Sequence, residues 1–106
     1  MKDTLDIFGT KYSVKVVDKP EKLNEQSDAY GSCNSQEYSI VVTDKTTKGT
    51  KIPDDEKRRL VLHEIIHAIF NEGCYFQSSD DEPLVQWTAR CLDSIIFKQD
   101  FFDLKK

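Results

Sequence analysis

His63 and His67 are the two histidines of the chain, and they stand four residues apart with Glu64 directly after the first. On an α-helix, residues i and i+4 share a face, so both imidazoles can reach a single metal ion. Glu64 is turned about 100° from His63 on the same helix, which aims it at the water of such a site instead of the metal. Zinc suits the arrangement, because neutral imidazole is among its preferred ligands and three protein ligands leave a fourth position for water. Coordination lowers the pKa of that water toward about 7, and a carboxylate within hydrogen-bonding reach takes its proton as it attacks a polarised carbonyl. Glu64 is the expected base. Coincidence explains the pattern poorly: with seven glutamates in the chain, this spacing and this neighbour arise together about 0.1% of the time. Packing of the pair in a core explains it poorly too, since the apolar residues around it would bury a carboxylate with no cation near it in sequence.

A third protein ligand is needed, and Glu82 is the candidate. It precedes a second predicted helix by one or two residues, in phase with the apolar stripe Val85, Ala89 and Leu92. Asp81, Asp80, Glu72 and Cys74 are the alternatives. A competing role for Glu82 is local: Ser79-Asp80-Asp81-Glu82 matches a Ser-x-x-Glu capping box, in which the glutamate turns back to its own backbone. Pro83 opposes that box, because proline prefers the first helical position and would make Glu82 the cap. Stabilising an oxyanion calls for a further donor, for which Tyr75 and Arg90 are the candidates; a tyrosine just past a helix is more often a packing anchor.

The elements that must hold these groups are legible from patterning. Pro53 followed by Asp54, Asp55 and Glu56 is a helix start. Leu62, Ile65, Ile66, Ile69 and Phe70 recur at spacings of three and four, and Gly73 offers a stop, so the motif helix is expected over 53–72. The second helix follows Asp80-Asp81-Glu82-Pro83, with Val85, Ala89, Leu92 and Ile96 facing the core. Upstream, residues 12–18 alternate as a half-buried strand that Lys19-Pro20 ends. Residues 21–28 read as a loop or short helix. Residues 29–33 and 37–43 read as two strands of a hairpin turned at Asn34-Ser35-Gln36. The unbroken apolar run Ile40-Val41-Val42 suggests a strand covered on both faces. Residues 44–51 are a polar connector. The fold expected is α+β: a small, mostly antiparallel, three-stranded sheet packed on the motif helix and a second, C-terminal helix.

At 106 residues and 38% hydrophobic content, the chain is expected to form a single domain, 1–106, with one modest core. Its 15 Lys+Arg and 19 Asp+Glu are interleaved, for a formal net charge of −4, and no basic run could track a phosphate backbone. Nucleic acid is therefore not an expected partner. The strongly apolar stretch 60–70 is interrupted by His63, Glu64 and His67 and falls short of the roughly 20 residues needed to cross a bilayer. The first residues do not form a basic-then-apolar leader, so a cytoplasmic location is expected. Three cysteines, Cys33, Cys74 and Cys91, make no CxxC pair and are expected to be reduced. Trp87 is expected partly buried at a helix margin, Phe97, Phe101 and Phe102 packed back on the sheet, and the charged run 54–59 solvated.

The order of elements is itself informative. Tyr30-Gly31-Ser32, then Tyr38-Ser39-Ile40-Val41-Val42, then the run from Leu60 through His63-Glu64-Ile65-Ile66-His67 to Phe70, then Asp81-Glu82 before a helix carrying Ala89-Arg90, resembles the small zincin-like metallopeptidases of phages and prophages related to the ImmA/IrrE family. The likeness spans about residues 8–97, with the histidine motif and its Leu-x-Leu lead-in as its specific part. The resemblance implies a curved sheet backed by the motif helix, His63, His67 and Glu82 as zinc ligands, Glu64 as base, and cleavage of peptide bonds in an intracellular peptide or protein substrate. The alternative is a non-catalytic zinc-binding protein of a phage or mobile element, acting as a regulatory or interaction module. A structural zinc would be closed by a fourth protein ligand, whereas a catalytic one keeps an open position facing a cleft.

Overall fold

The computed structural model describes residues 3–20 and 30–99. The elements are β1 (Thr4–Ile7), β2 (Thr10–Val17), β3 (Gly31–Asn34), β4 (Ser39–Thr43), α1 (Asp54–Glu72), α2 (Phe76–Ser79) and α3 (Glu82–Leu92), continued by a π-helical segment, Asp93–Phe97. The architecture is α+β, but the expected three-stranded, mostly antiparallel sheet is corrected to four strands in the order β1-β2-β4-β3. β1 with β2 and β3 with β4 are antiparallel, while β2 and β4 at the centre run parallel, Val14 opposite Ile40 and Val16 opposite Val42. A parallel pair cannot be closed by a tight turn, and β3, which precedes β4 in the chain, pairs with the far side of β4.

β1 was not expected from the sequence. It forms because Phe8 (φ 51°) and Gly9 (φ 90°) both adopt positive φ, the two-residue hairpin geometry that matches strand twist, and because Asp6 Oδ1 accepts from Gly9 N at 2.7 Å. This hairpin aligns Leu5 and Ile7 with Tyr12 and Val14 on one face. The expected hairpin between β3 and β4 is present, with Asn34 Oδ1 accepting from the backbone of Gln36 and Glu37. The segment 21–28 and the tail with Phe101 and Phe102 lie outside the described residues.

α1 lies between two cores. Its Ile65 and Ala68 join Ile7, Tyr12, Val14 and Ile40 against the sheet, and its Leu62, Ile66 and Phe70 pack on Val85, Ala89 and Leu92 of α3. Burying a side chain such as Val85 fully contributes about 1.5–3 kcal/mol. The helices cover one face of the sheet, so β4 is not buried on both: Ile40 and Val42 are inaccessible, whereas Val41 is half-exposed. Tyr12 ties sheet to helix, its hydroxyl donating to Glu72 Oε2 at 2.7 Å beside Thr10 Oγ1 on Oε1 at 2.8 Å.

The helix ends differ in detail from expectation. Pro53 is the cap of α1 and not its first residue. At the other end Cys74, not Gly73, takes the left-handed position (φ 63°), with Tyr75 N donating to Phe70 O and Cys74 N to Asn71 O, the Schellman closure. Gly73 serves a steric purpose, since a Cβ there would come 2.9 Å from Tyr75 Cδ2. Asp93 continues inward the α3 face of Val85 and Ala89, and the wider π turn that follows leaves Ile96 exposed, not in the core as its stripe predicts. Asp93 accepts from Arg58 Nε at 2.6 Å, with Arg59 and Lys98 nearby, so the run 54–59 is ion-paired and not merely solvated. Phe97 lies under Arg58, 4.9 Å from its guanidinium carbon, half-exposed and not packed back on the sheet, and Trp87 is 66% exposed. No helix among the described residues is long and apolar enough to cross a membrane.

Candidate metal centre

α1 and α3 pack side by side in opposite directions, and the groove between α3 and the sheet edge receives one face of α1. Because 62, 66 and 70 point to α3 and 65 and 68 to the sheet, residues 63 and 67 are left facing that groove. Glu82, the first residue of α3, reaches back to both. Its Oε1 is 2.7 Å from His67 Nε2 and its Oε2 is 3.1 Å from His63 Nε2. One ligand atom from each of the three residues lies within 4.8 Å of the others, so the set could hold a metal ion.

The far nitrogens are also held. His63 Nδ1 is 3.0 Å from Gln86 Oε1, an acceptor that keeps the proton on Nδ1. His67 Nδ1 is 3.1 Å from Ser79 Oγ, whose own hydrogen points to the His67 carbonyl oxygen at 3.4 Å. Both Nε2 atoms therefore present lone pairs toward a carboxylate, and those three acceptors sit together favourably when a cation lies among them. Burial holds His67 below its usual pKa, with Glu82 pulling the other way and His63 adding to the depression. A second proton on that ring is thereby disfavoured, and the donor set fits a metal.

The cleft beside these ligands has a volume of about 470 Å³; among the described residues its lining includes Glu64, Asp80 and Glu82 and no lysine or arginine, and Asp80 with Glu82 gives it a negative field that suits a cation. Glu64 is 6% exposed. Its pKa is pushed up to about 8, first by burial and then by the charge of Glu82. β3 approaches closely here because residue 31 is glycine: a Cβ would fall 3.0 Å from Glu64 Oε2. Cys33 borders the cleft as a thiol whose pKa burial, with Glu64 and Glu72, raises to about 12, so it stays protonated.

Of the sequence candidates, His63, His67, Glu82 and Glu64 are brought together. The alternative ligands are not in the set. Glu72 is engaged by Thr10 and Tyr12, Asp81 Oδ1 caps α3 by accepting from Leu84 N at 3.2 Å, Cys74 is exposed, and Asp80 lines the cleft without joining the cluster. The capping box does not form. Asp81 is the cap, Glu82 is the first helical residue and Pro83 the second, where a missing N–H costs nothing. Tyr75 is 65% exposed, over Gly73 and away from the cleft lining. Arg90 follows Glu82 by eight residues, about 12 Å along the helix axis, and does not line the cleft either.

Sequence reasoning missed four residues of the site. Gln86 and Ser79 hold the histidines, Asn71 lines the cleft one turn beyond His67, and Gly31 makes room for Glu64. A signal existed for Gln86, which is four residues after Glu82 and so shares its helix face. Gly31 carried none, since its role depends on a strand meeting a helix 33 residues away. No family model, curated protein or solved structure matches the chain.

Proposed function

We propose that the chain is a zinc-dependent peptide-bond hydrolase in which His63, His67 and Glu82 hold the metal and Glu64 is the general base. The observation that carries this reading is the convergence of both Nε2 atoms and the Glu82 carboxylate beside the cleft that contains Glu64. When bound, zinc would supply a Lewis acid for the scissile carbonyl and an acidified water. Glu64, raised by burial toward neutrality, would accept that water's proton and pass it to the leaving amine. The Glu82 charge that helps to raise Glu64 is one that a cation offsets, which would return the carboxylate to its basic form.

Substrate would lie as an added strand. β4 is interior, and β3 is the sheet edge beside α1. An extended peptide along β3 would pass Glu64, with the Asn71 amide a candidate donor to a developing oxyanion. Three converging ligands among the described residues favour an open site over a closed structural zinc. The reading agrees with the resemblance to the ImmA/IrrE-related metallopeptidases, which would make this an intracellular enzyme of a phage or prophage.

The test is zinc content by elemental analysis together with hydrolysis of a fluorogenic peptide pool. The wild type should carry about one zinc per chain and His67→Ala none, while Glu64→Gln should keep the metal and lose at least a hundredfold in rate. A wild type that takes up no zinc when supplied, or a Glu64→Gln variant as active as the wild type, would overturn the reading.

A further inference from the structure

α1 and α3 carry matched columns at one-turn spacing: His67, His63 and Arg59 on α1, and Glu82, Gln86 and Arg90 on α3. Glu82 bridges the two histidines and Gln86 holds His63. On the next turn Arg59 and Arg90 line one cavity of about 370 Å³, which His63 and Gln86 close on the metal side. Tyr30 contributes to another wall, and Glu56 is the one acidic residue of the lining among the described residues.

The two arginines are not equivalent. Arg59 Nη1 has Asp93 at 3.6 Å and Asp55 at 3.7 Å, so its charge is largely answered from within the chain. Arg90 is exposed and makes no salt bridge among the described residues. A guanidinium fork without a salt-bridge partner among the described residues, on the wall of a cavity that shares His63 with the metal site, is suited to a planar carboxylate that it can bind with two hydrogen bonds. Glu56 in the same lining would repel a second anion, which restricts the cavity to one.

We propose that this cavity is a specificity pocket for a carboxylate on the substrate, received by Arg90 with Arg59 behind it. The proposal rests on the hydrolase reading above. The separation of Arg90 from Glu82, about 12 Å along α3, equals three to four residues of extended peptide, or two residues and a glutamate side chain. Either an acidic side chain or the C-terminal carboxylate of a short peptide would fit, and the substrates would be acidic or short peptides.

Binding separates this proposal from the catalytic one. Zinc-loaded Glu64→Gln protein, which leaves peptide intact, would be titrated calorimetrically with matched tetrapeptides of acetylated alanine. One set carries Glu or Gln at each position in turn with an amidated end, and the other has a free or amidated C-terminus. One acid should bind about tenfold or more tightly than its amide, and the position or terminus that shows it names the source. The preference should shrink with added salt, be lost in Arg90→Gln with zinc content unchanged, and be partly kept in Arg90→Lys. Equal affinity within every pair, a preference that survives Arg90→Gln, or no binding by any peptide would overturn the pocket. Zinc content and hydrolysis by the wild type would still report on the metal centre separately.

Discussion

Glu64 and Gly31 meet where the edge strand crosses the motif helix, with the carboxylate Oε2 3.0 Å from the point a β-carbon of residue 31 would occupy. The contact joins the proposed base to the strand along which substrate is proposed to lie. It makes Gly31 a positioning residue, although its type alone suggests no more than a turn.

Gly31→Ala should displace the Glu64 carboxylate without touching the ligands. Zinc content is expected to stay at the wild-type level while peptide hydrolysis falls about ten- to a hundredfold, the usual cost of a small misplacement of a catalytic group. Elemental analysis and a progress curve on the same preparation check both halves.

Ser79→Ala and Gln86→Ala should each weaken zinc binding about ten- to a hundredfold, because each removes the partner that fixes an imidazole's Nδ1 proton. Competition against a chromophoric chelator measures this. An unchanged affinity in both variants would mean that the rings are oriented by packing alone.

Asp93 should make stability depend on pH in the acid range. The hydrogen bond from Arg58, against the opposing effect of burial, holds its carboxyl below the usual range, with Arg58, Lys98 and Arg59 charges adding to the depression. The folded state therefore prefers the ionised form. The stabilisation is complete above the unfolded value of about 3.9 and is lost as pH falls through the depressed folded value. Asp93→Asn should lower the urea midpoint at pH 7, and the gap to wild type should close below about pH 4.

Cys74→Gly should raise stability by about 1 kcal/mol, since a β-carbon is strained at φ 63° and the exposed side chain gives up little packing. Gly73→Ala should do the reverse, because its Cβ would meet the Tyr75 ring. Thermal melts of the two variants should move in opposite directions.

The helices and the shared face of His63 and His67 on α1 were readable in the chain because they depend on relations three or four residues apart. His63 with His67, Pro53 ahead of three acids, and Asp81-Glu82-Pro83 at the head of α3 are all local statements that a helix turns directly into geometry. Even Glu82 was within reach, through its phase with Val85 and Ala89. The sheet was not readable in the same way. Alternation marks a strand but does not name its partner, so the parallel pairing of β2 with β4, and hence β3 as the edge beside the site, is decided by tertiary packing. β1 escaped notice because a Phe-Gly pair is not the usual composition of its turn. The pairing of Arg58 with Asp93, the Gly31 approach to Glu64 and the sharing of one cavity by Arg59 and Arg90 each join residues more than 30 positions apart. Such relations are set by packing once the elements exist, and the one-dimensional pattern holds no record of them.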